Sequence, residues 1–289
     1  MIVPANTFIA TALAAARAGA DVRFVDVDPR TQLLDPKLLS DAIGPKTAAV
    51  VPVHLFGQIA PMDAIVEVAE ARGLAVIEDG AQCQGATRDG HAMGHWGSSC
   101  ATSFFPGKNL GAYGDGGAVV TRHAEIAARL RALRNYGSEV KYEHPEVGFN
   151  SRLDTLQAVV LSAKLKLLDG WNEQRRAAAV RYDELLRGLD DVVLPVVDEG
   201  NVHVWHLYVV RVPERDRVLE RLHAEKIFAG IHYPTIVPLH GAFRTAEYDE
   251  SSFPVAHLAS TEILTLPLYP GITPAQQERV AATLAEALP

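Results

Sequence analysis

The sequence predicts an α/β fold, a mainly parallel mixed sheet flanked by helices, on three observations. Patterns of strand, helix and strand length follow one another between Ala48 and Ile77, forming a βαβ unit whose two strands run parallel. Two apolar runs, leading to Asp79 and to Ser103, each place a polar residue where a strand meets a loop. The chain has 289 residues, 48% of them hydrophobic, which is enough for one large or two smaller cores.

Taken in order, Met1–Pro4 reads as a strand leading into Ala5-Asn6-Thr7-Phe8, and Phe8–Ala18 as a helix stopped by Gly19. Val22–Asp26 alternates as a short strand and ends in the turn Asp26-Val27-Asp28-Pro29. Pro36–Ile43 is a helix closed by Gly44-Pro45, and Ala48–His54 a buried strand. Met62, Ile65, Val66 and Ala69 mark one face of a helix ended by Gly73. Leu74–Ile77 then delivers Asp79, and strands at Thr102–Phe105 and Ala118–Thr121 surround Lys108. Ala124–Arg134 is helical, followed by an irregular polar stretch to Arg152. A long helical pattern from Leu153 to Leu189 is broken or bent near Gly170. Val204–Val212 reads as a strand, Arg217–Lys226 as a helix, Phe228–Tyr233 as a strand and Pro274–Leu288 as the closing helix.

Composition narrows the function. A net charge of −8 argues against nonspecific nucleic-acid binding, which needs clustered cations, yet leaves room for a small basic site for a diphosphate. Two cysteines, Cys83 and Cys100, form no disulfide framework and favour a reducing cytoplasm. The Ala-rich segment Thr7–Ala20 has no Lys or Arg before it and is interrupted by Arg17, so it reads as a helix and not as an export signal. No run approaches the ~18–20 apolar residues of a membrane span.

A strand-end Asp79, a Gln82 three residues on, and a Lys108 among Gly and Pro need a chemical reason. Pyridoxal phosphate supplies one: it takes a lysine on its aldehyde carbon and an acid opposite its pyridinium nitrogen. That acid keeps the ring nitrogen protonated, and partial desolvation keeps the lysine available as nucleophile and base. Ser103, five residues before Lys108, can help hold the phosphate.

Asp79-x-x-Gln82, Ser103-Phe-Phe-Pro-Gly-Lys108-Asn-Leu-Gly-Ala and Gly114-Asp-Gly-Gly117 together resemble the DegT/DnrJ/EryC1/StrS family of nucleotide-sugar aminotransferases, pyridoxal phosphate enzymes of fold type I. The resemblance runs from Pro4 to Leu266-Pro267-Leu268. It implies a cofactor-binding large domain over residues 1–165 and a smaller α+β domain over 166–289, including the connecting helix. It implies Lys108 as the Schiff-base lysine, Asp79 as the pyridinium partner, Gln82 against the ring and Ser103 on the phosphate. Gly148-Phe-Asn150-Ser-Arg152 resembles the family loop that crosses a homodimer interface, so Asn150 would reach the partner subunit's cofactor phosphate, and Arg152 would meet nucleotide or substrate. Ser151 as a helix cap, with Asp154 three residues later, is the plain alternative for that loop. His232-Tyr233-Pro234 resembles the segment near the sugar nucleotide, or else a turn built on its prolines. Tyr142 and His144, in the irregular stretch, are candidates for the hexose.

Two further patterns carry less. Cys83, His91, His95 and Cys100 lack the C-x-x-C knuckle of structural zinc, so no metal is expected. Gly111–Gly117 fits no nucleotide-loop pattern, and its glycines are expected to let the backbone turn close to Lys108.

By resemblance the reaction has two halves. L-Glutamate converts the cofactor to pyridoxamine phosphate, and a keto sugar on a nucleoside diphosphate then takes the amine, with Lys108 moving the proton. The residues around Lys108 are most similar to members that aminate C3 of a 3-keto-(6-deoxy)hexose. The chain departs from the family at its start: relatives carry a segment before Pro4 with a Gly-Thr pair that binds phosphate at a helix N-terminus. That departure raises the alternative of a catalytically silent homologue acting as a dimer partner or binding module. Retention of Asp79, Gln82, Ser103 and Lys108 argues for chemistry.

Overall fold

A computed structural model describes residues 1–245 and 247–289. The N-terminal part alternates strands and helices: β1 (Ile2–Pro4), α1 (Ala10–Arg17), β2 (Arg23–Val25), α2 (Pro36–Ala42), β3 (Ala49–Val50), α3 (Met62–Glu70) and β4 (Ala75–Asp79). A short hairpin, β5 (Thr87–Arg88) and β6 (His91–Ala92), precedes β7 (Ser99–Ser103) and β8 (Gly117–Val120). Three helices follow, α4 (Ala124–Leu133), α5 (Thr155–Leu165) and α6 (Leu168–Leu186). The C-terminal part holds β9 (Asn201–Val202), β10 (Tyr208–Arg211), α7 (Arg215–Ala224), α8 (Pro254–Glu262), β11 (Ile263–Leu266) and α9 (Pro274–Ala287).

The main sheet has strand order β2-β1-β3-β4-β7-β8, parallel throughout except for β8, which runs against β7. This is the mainly parallel mixed sheet the βαβ pattern predicts. Its order reverses between β1 and β3, so the crevice at their carboxyl ends is where such sheets receive ligands. Asp79 pairs in register with Ala101, which brings the carboxyl ends of β4 and β7 side by side next to that crevice.

Apolar side chains cover both faces of the sheet. Ile2, Val50 and Val76 pack with Leu39 of α2 and Ile65 of α3, and Val3 and Val51 pack with Ala12 of α1. Ile236, Val237, Phe253 and Ala256, far along the chain, join that second face. Asp26 anchors this return: its two carboxylate oxygens accept the backbone N–H groups of Val255 and Ala256, at the first turn of α8. A separate core joins α6, α7 and α9 to the antiparallel pair β10–β11. Among the described residues, no helix is long and apolar enough to cross a membrane.

Several elements differ from their sequence pattern. The long helix divides at Lys166–Leu167, and Gly170 lies inside α6, because a single glycine costs a helix too little to end it. Phe228–Tyr233 forms no strand; only a bridge from Gly230 to Thr265 is made. The cap of α5 is Asp154, not Ser151, so the capping alternative for the 148–152 loop fails. The hairpin and α8 carry no periodic signal long enough to read.

Glycine is required where the chain crosses itself below the crevice. Gly57 has φ +117°, and a Cβ there would sit 2.8 Å from the His206 nitrogen and 2.9 Å from that of Trp205. Gly57→Ala is therefore expected to lower stability by about 2–3 kcal/mol in urea unfolding, because both the backbone angle and the contact oppose a side chain.

Candidate active site

Asp79 ends β4 and is held in place from three sides. Its backbone N–H bonds Pro52 and its carbonyl accepts from His54. Its carboxylate accepts the Thr11 hydroxyl at 2.7 Å and the Ala81 N–H at 3.0 Å. The Thr11 proton is committed to the carboxylate, so the Thr7 hydroxyl, 2.9 Å away, donates to Thr11. One face of α1 thus aligns the acid.

Asp79 is only partly buried; the sealed acid is its neighbour Glu78, with no exposure at all. One Glu78 oxygen accepts His54 Nε2–H at 2.9 Å and Gly94 N–H at 2.8 Å, and the other accepts Trp96 and Gly97 N–H at 3.2 and 2.7 Å. The Ala60 N–H donates to His54 Nδ1, which fixes the histidine proton on Nε2. Burial works against the charged form of Glu78, but the His54 hydrogen bond and the backbone donors outweigh it and hold the carboxyl below its ordinary value. Cys100 completes a tight trio with His54 and Glu78. The trio is no metal seat, because both imidazole nitrogens and both carboxylate oxygens are spent and burial pushes the thiol pKa well up.

Lys108 lies in the turn after β7. Its N–H bonds the Phe105 carbonyl, and a Cβ on Gly111 would overlap the Pro106 carbonyl oxygen, so the loop closes only with glycine there, as expected from the sequence. Burial pulls the Lys108 amine below its ordinary value, while the Asp79 carboxylate pulls it back up. The two groups therefore stand within electrostatic reach. Ser103 ends β7 and accepts the Phe105 N–H at 3.2 Å.

Gln82 closes one side of the space between them. Its Oε1 accepts the Phe56 N–H at 2.6 Å and its Nε2 donates to the Tyr233 hydroxyl at 3.1 Å. Burial, with Asp79 nearby, raises the Tyr233 phenol to about 12, so it keeps a proton free to donate into the cleft. His232 bonds Thr265 at 2.8 Å, and burial and Lys108 lower its pKa. Phe8, 54% exposed, faces the Tyr233 ring at 5.6 Å and adds an aromatic wall.

The structure thus gathers Asp79, Gln82, Lys108, His232 and Tyr233, with Ser103 at the adjoining strand end. It does not bring the 134–152 stretch to them. Tyr142 is 82% exposed, His144 bonds the Tyr136 carbonyl, and Arg152 donates to Asn150 while lying over the Tyr136 ring. Sequence reasoning missed Thr11, Phe8, Glu78 and His54. The only available signal was a second acid directly beside Asp79.

The model of the DegT/DnrJ/EryC1/StrS aminotransferase family matches residues 1–285. The chain is 44% identical over 286 residues to the dTDP-3-amino-3,4,6-trideoxy-alpha-D-glucose transaminase of Streptomyces venezuelae, covering 99% of this chain and 76% of that protein. It superposes with a TM-score of 0.95 and 44% identity on S. venezuelae DesV solved in complex with a ketimine intermediate, covering 99% of this chain and 77% of DesV. It also resembles Bacillus subtilis NtdA with bound cofactor PMP, with a TM-score of 0.91, 31% identity, and coverage of 99% and 67%.

The Glu78 cluster yields a pH-dependent expectation. A carboxyl held below its unfolded value adds stability above that value and loses it as pH falls through the folded one. Glu78→Gln is therefore expected to cost about 2–4 kcal/mol at neutral pH. Thermal unfolding should show this gap narrowing in acid, as pH falls below the ordinary carboxylate range and through the lowered folded value of Glu78.

Proposed function

The chain belongs to the DegT/DnrJ/EryC1/StrS aminotransferase family, and from that premise we propose that it transfers an amino group from L-glutamate to a keto sugar carried on a nucleoside diphosphate. It is a pyridoxal phosphate-dependent sugar aminotransferase. The observation that carries the reading is the Asp79–Lys108 pair: an aligned carboxylate at the end of β4 and a half-buried amine in the turn after the adjacent β7, close enough to act on one another electrostatically. The donor set fits the cofactor, since its ring needs an acid at one end and an amine at the other. When bound, pyridoxal phosphate supplies an electron sink for the carbon that loses or gains the proton.

The protein's own groups do the rest. Lys108 holds the cofactor and then moves a proton at the substrate carbon, a task suited to an amine whose pKa burial has lowered toward neutrality. Asp79 would meet the ring nitrogen, its carboxylate oriented by the Thr11 hydroxyl. Gln82 and Phe8 bound the ring, and Ser103 binds phosphate. Tyr233 donates its hydroxyl proton to the substrate, with His232 beside it.

Asn150, Arg152, Tyr142 and His144 serve a second copy of the chain in this reading. Support comes from the exposed apolar surface around them: Val147 is 93% exposed, Phe149 67% and Leu156 79%. Such a face on a globular protein calls for a partner, and a two-fold homodimer carries each loop to the other cleft. The reacting position is C3, which agrees with the 3-amino product in the name of the S. venezuelae relative. Two buried free cysteines suit the reducing cytoplasm where nucleotide sugars are made.

Protein mixed with pyridoxal phosphate is expected to show a visible absorption band that glutamate shifts to the ultraviolet. Lys108→Ala should abolish the band without loss of secondary structure, and absence of the band from the wild type would refute the assignment. Asp79→Asn should retain the cofactor while lowering kcat by roughly 10²–10³, the scale of one lost electrostatic contact in an active site. Competing 3-keto and 4-keto nucleotide sugars in single-turnover assays tests the C3 assignment.

A further inference from the structure

The loop after β2, the turn after β3, the 193–196 segment and β10 enclose a cavity of about 130 Å³ that the reaction described above does not use. Native interiors leave few voids larger than a water, and a hole of this size can hold a six-membered ring. Its wall is strained. Gln32, Phe56 and Trp205 come from three separate loops and line it with left-handed backbone, at φ +60°, +61° and +46°. That conformation is costly for residues with a side chain and gathers at functional sites.

The polar side chains left free around the cavity are donors. Thr31 is spent on Asp28, Gln32 Nε2 on the Pro29 carbonyl, and Gln58 on Val196 and Asp198. His203 is 5% exposed, and its Nδ1 accepts the Trp205 N–H at 2.8 Å, so its proton sits on Nε2. One face of the ring lies on the Trp205 ring, with centroids 4.0 Å apart, and Cε1 faces Gly57, which leaves the Nε2 edge to line the cavity. This N–H makes no hydrogen bond among the described residues. Burial lowers the His203 pKa to about 3, so the ring is a neutral donor. Arg30 and Arg211 also line the cavity, and no Asp or Glu does. Glu262 pairs with Arg211 at 3.4 Å, whereas Arg30 makes no ion pair among the described residues.

We propose that this cavity is a second binding site, built for a small monocarboxylate with a compact apolar body. The carboxylate accepts from His203 Nε2–H and meets Arg30, while Leu194, Leu207 and Ile263 pack on the body. Water alone fits less well, because it brings no charge to Arg30 and leaves those three apolar side chains wetted. The cavity backs onto the cleft at Phe56, whose N–H is held by Gln82 at 2.6 Å. The site is therefore a neighbour of the Asp79–Lys108 cleft and shares neither residue with it.

Isothermal titration of the holoenzyme with benzoate tests this, with benzyl alcohol as a neutral compound of the same ring. One benzoate per chain should bind with a Kd on the order of 0.1–1 mM, and benzyl alcohol about tenfold more weakly or worse. Arg30→Gln, at an exposed position, should weaken benzoate about tenfold and leave benzyl alcohol unchanged. Val193→Trp, at another exposed position, should fill the cavity and abolish binding of both. Both variants should unfold near the wild-type temperature, which separates lost binding from lost folding. Saturating L-glutamate should leave the benzoate Kd within about twofold, because the two ligands use different sites. The proposal is overturned by displacement of benzoate with glutamate, or by benzyl alcohol binding as tightly as benzoate. Benzoate binding that a folded Arg30→Gln variant leaves untouched overturns it too, as does no saturable binding at ten times the upper expected Kd. Because the readout is binding and not turnover, it stands apart from the absorption test of Lys108 and from the assignment of the sugar.

Discussion

The carboxylate of Glu78 is the constraint on which the site depends. It is sealed in the middle of the sheet, where an unpaired charge would be ruinous, and it is tolerated because it accepts from His54, Gly94, Trp96 and Gly97 at once. Those donors come from the turn after β3 and from the loop that leads into β7. One buried charge therefore ties together the strand that carries Asp79, the strand that leads to Lys108, and the turn that leads to Phe56. Neighbouring positions on a strand point to opposite faces, so fixing Glu78 on one face fixes Asp79 on the other. The candidate acid Asp79 is aligned by an acid that is sealed from solvent.

Around that anchor, polar groups are arranged in directional chains rather than isolated pairs. Thr7 donates to Thr11 and Thr11 to Asp79; Gln82 accepts from Phe56 and donates to Tyr233. Each chain starts on a backbone or helix position and ends at a group facing the cleft. Side chains locked in this way lose little freedom when a ligand arrives, which is what a site that must bind two different substrates in turn requires.

The strand ends were legible because an apolar run followed by Asp79 or Ser103 is a local signal, and βαβ spacing needs only neighbouring residues. Lys108 and Gln82 could be singled out because their motifs are contiguous. Thr11 was not, since its role rests on a partner 68 positions away. Glu78 was hidden for a related reason: in sequence it is one more residue of an apolar strand, and only the loop folded over it shows why a charge is allowed there. Ser151 looked like a cap and was not, while Asp154 began the helix instead. Helix α8 was missed because its capping carboxylate, Asp26, lies more than 200 positions upstream. Local chemistry predicts local structure, and the rest of this fold is settled by contacts that no sequence window spans.

That same Asp26 clasp has a kinetic consequence. The sheet's second face is completed by Ile236, Val237, Phe253 and Ala256, and the clasp that fastens them is made by a residue near the beginning of the chain. During synthesis, β1 and β2 leave the ribosome long before their cover exists, and at the usual pace of ~5–20 residues per second they wait on the order of ten seconds or more. Throughout that interval the nascent sheet presents bare apolar surface, the condition in which chains recruit chaperones or one another. Completion of this face thus waits for residues 236–256, made more than 200 positions after the strands they cover.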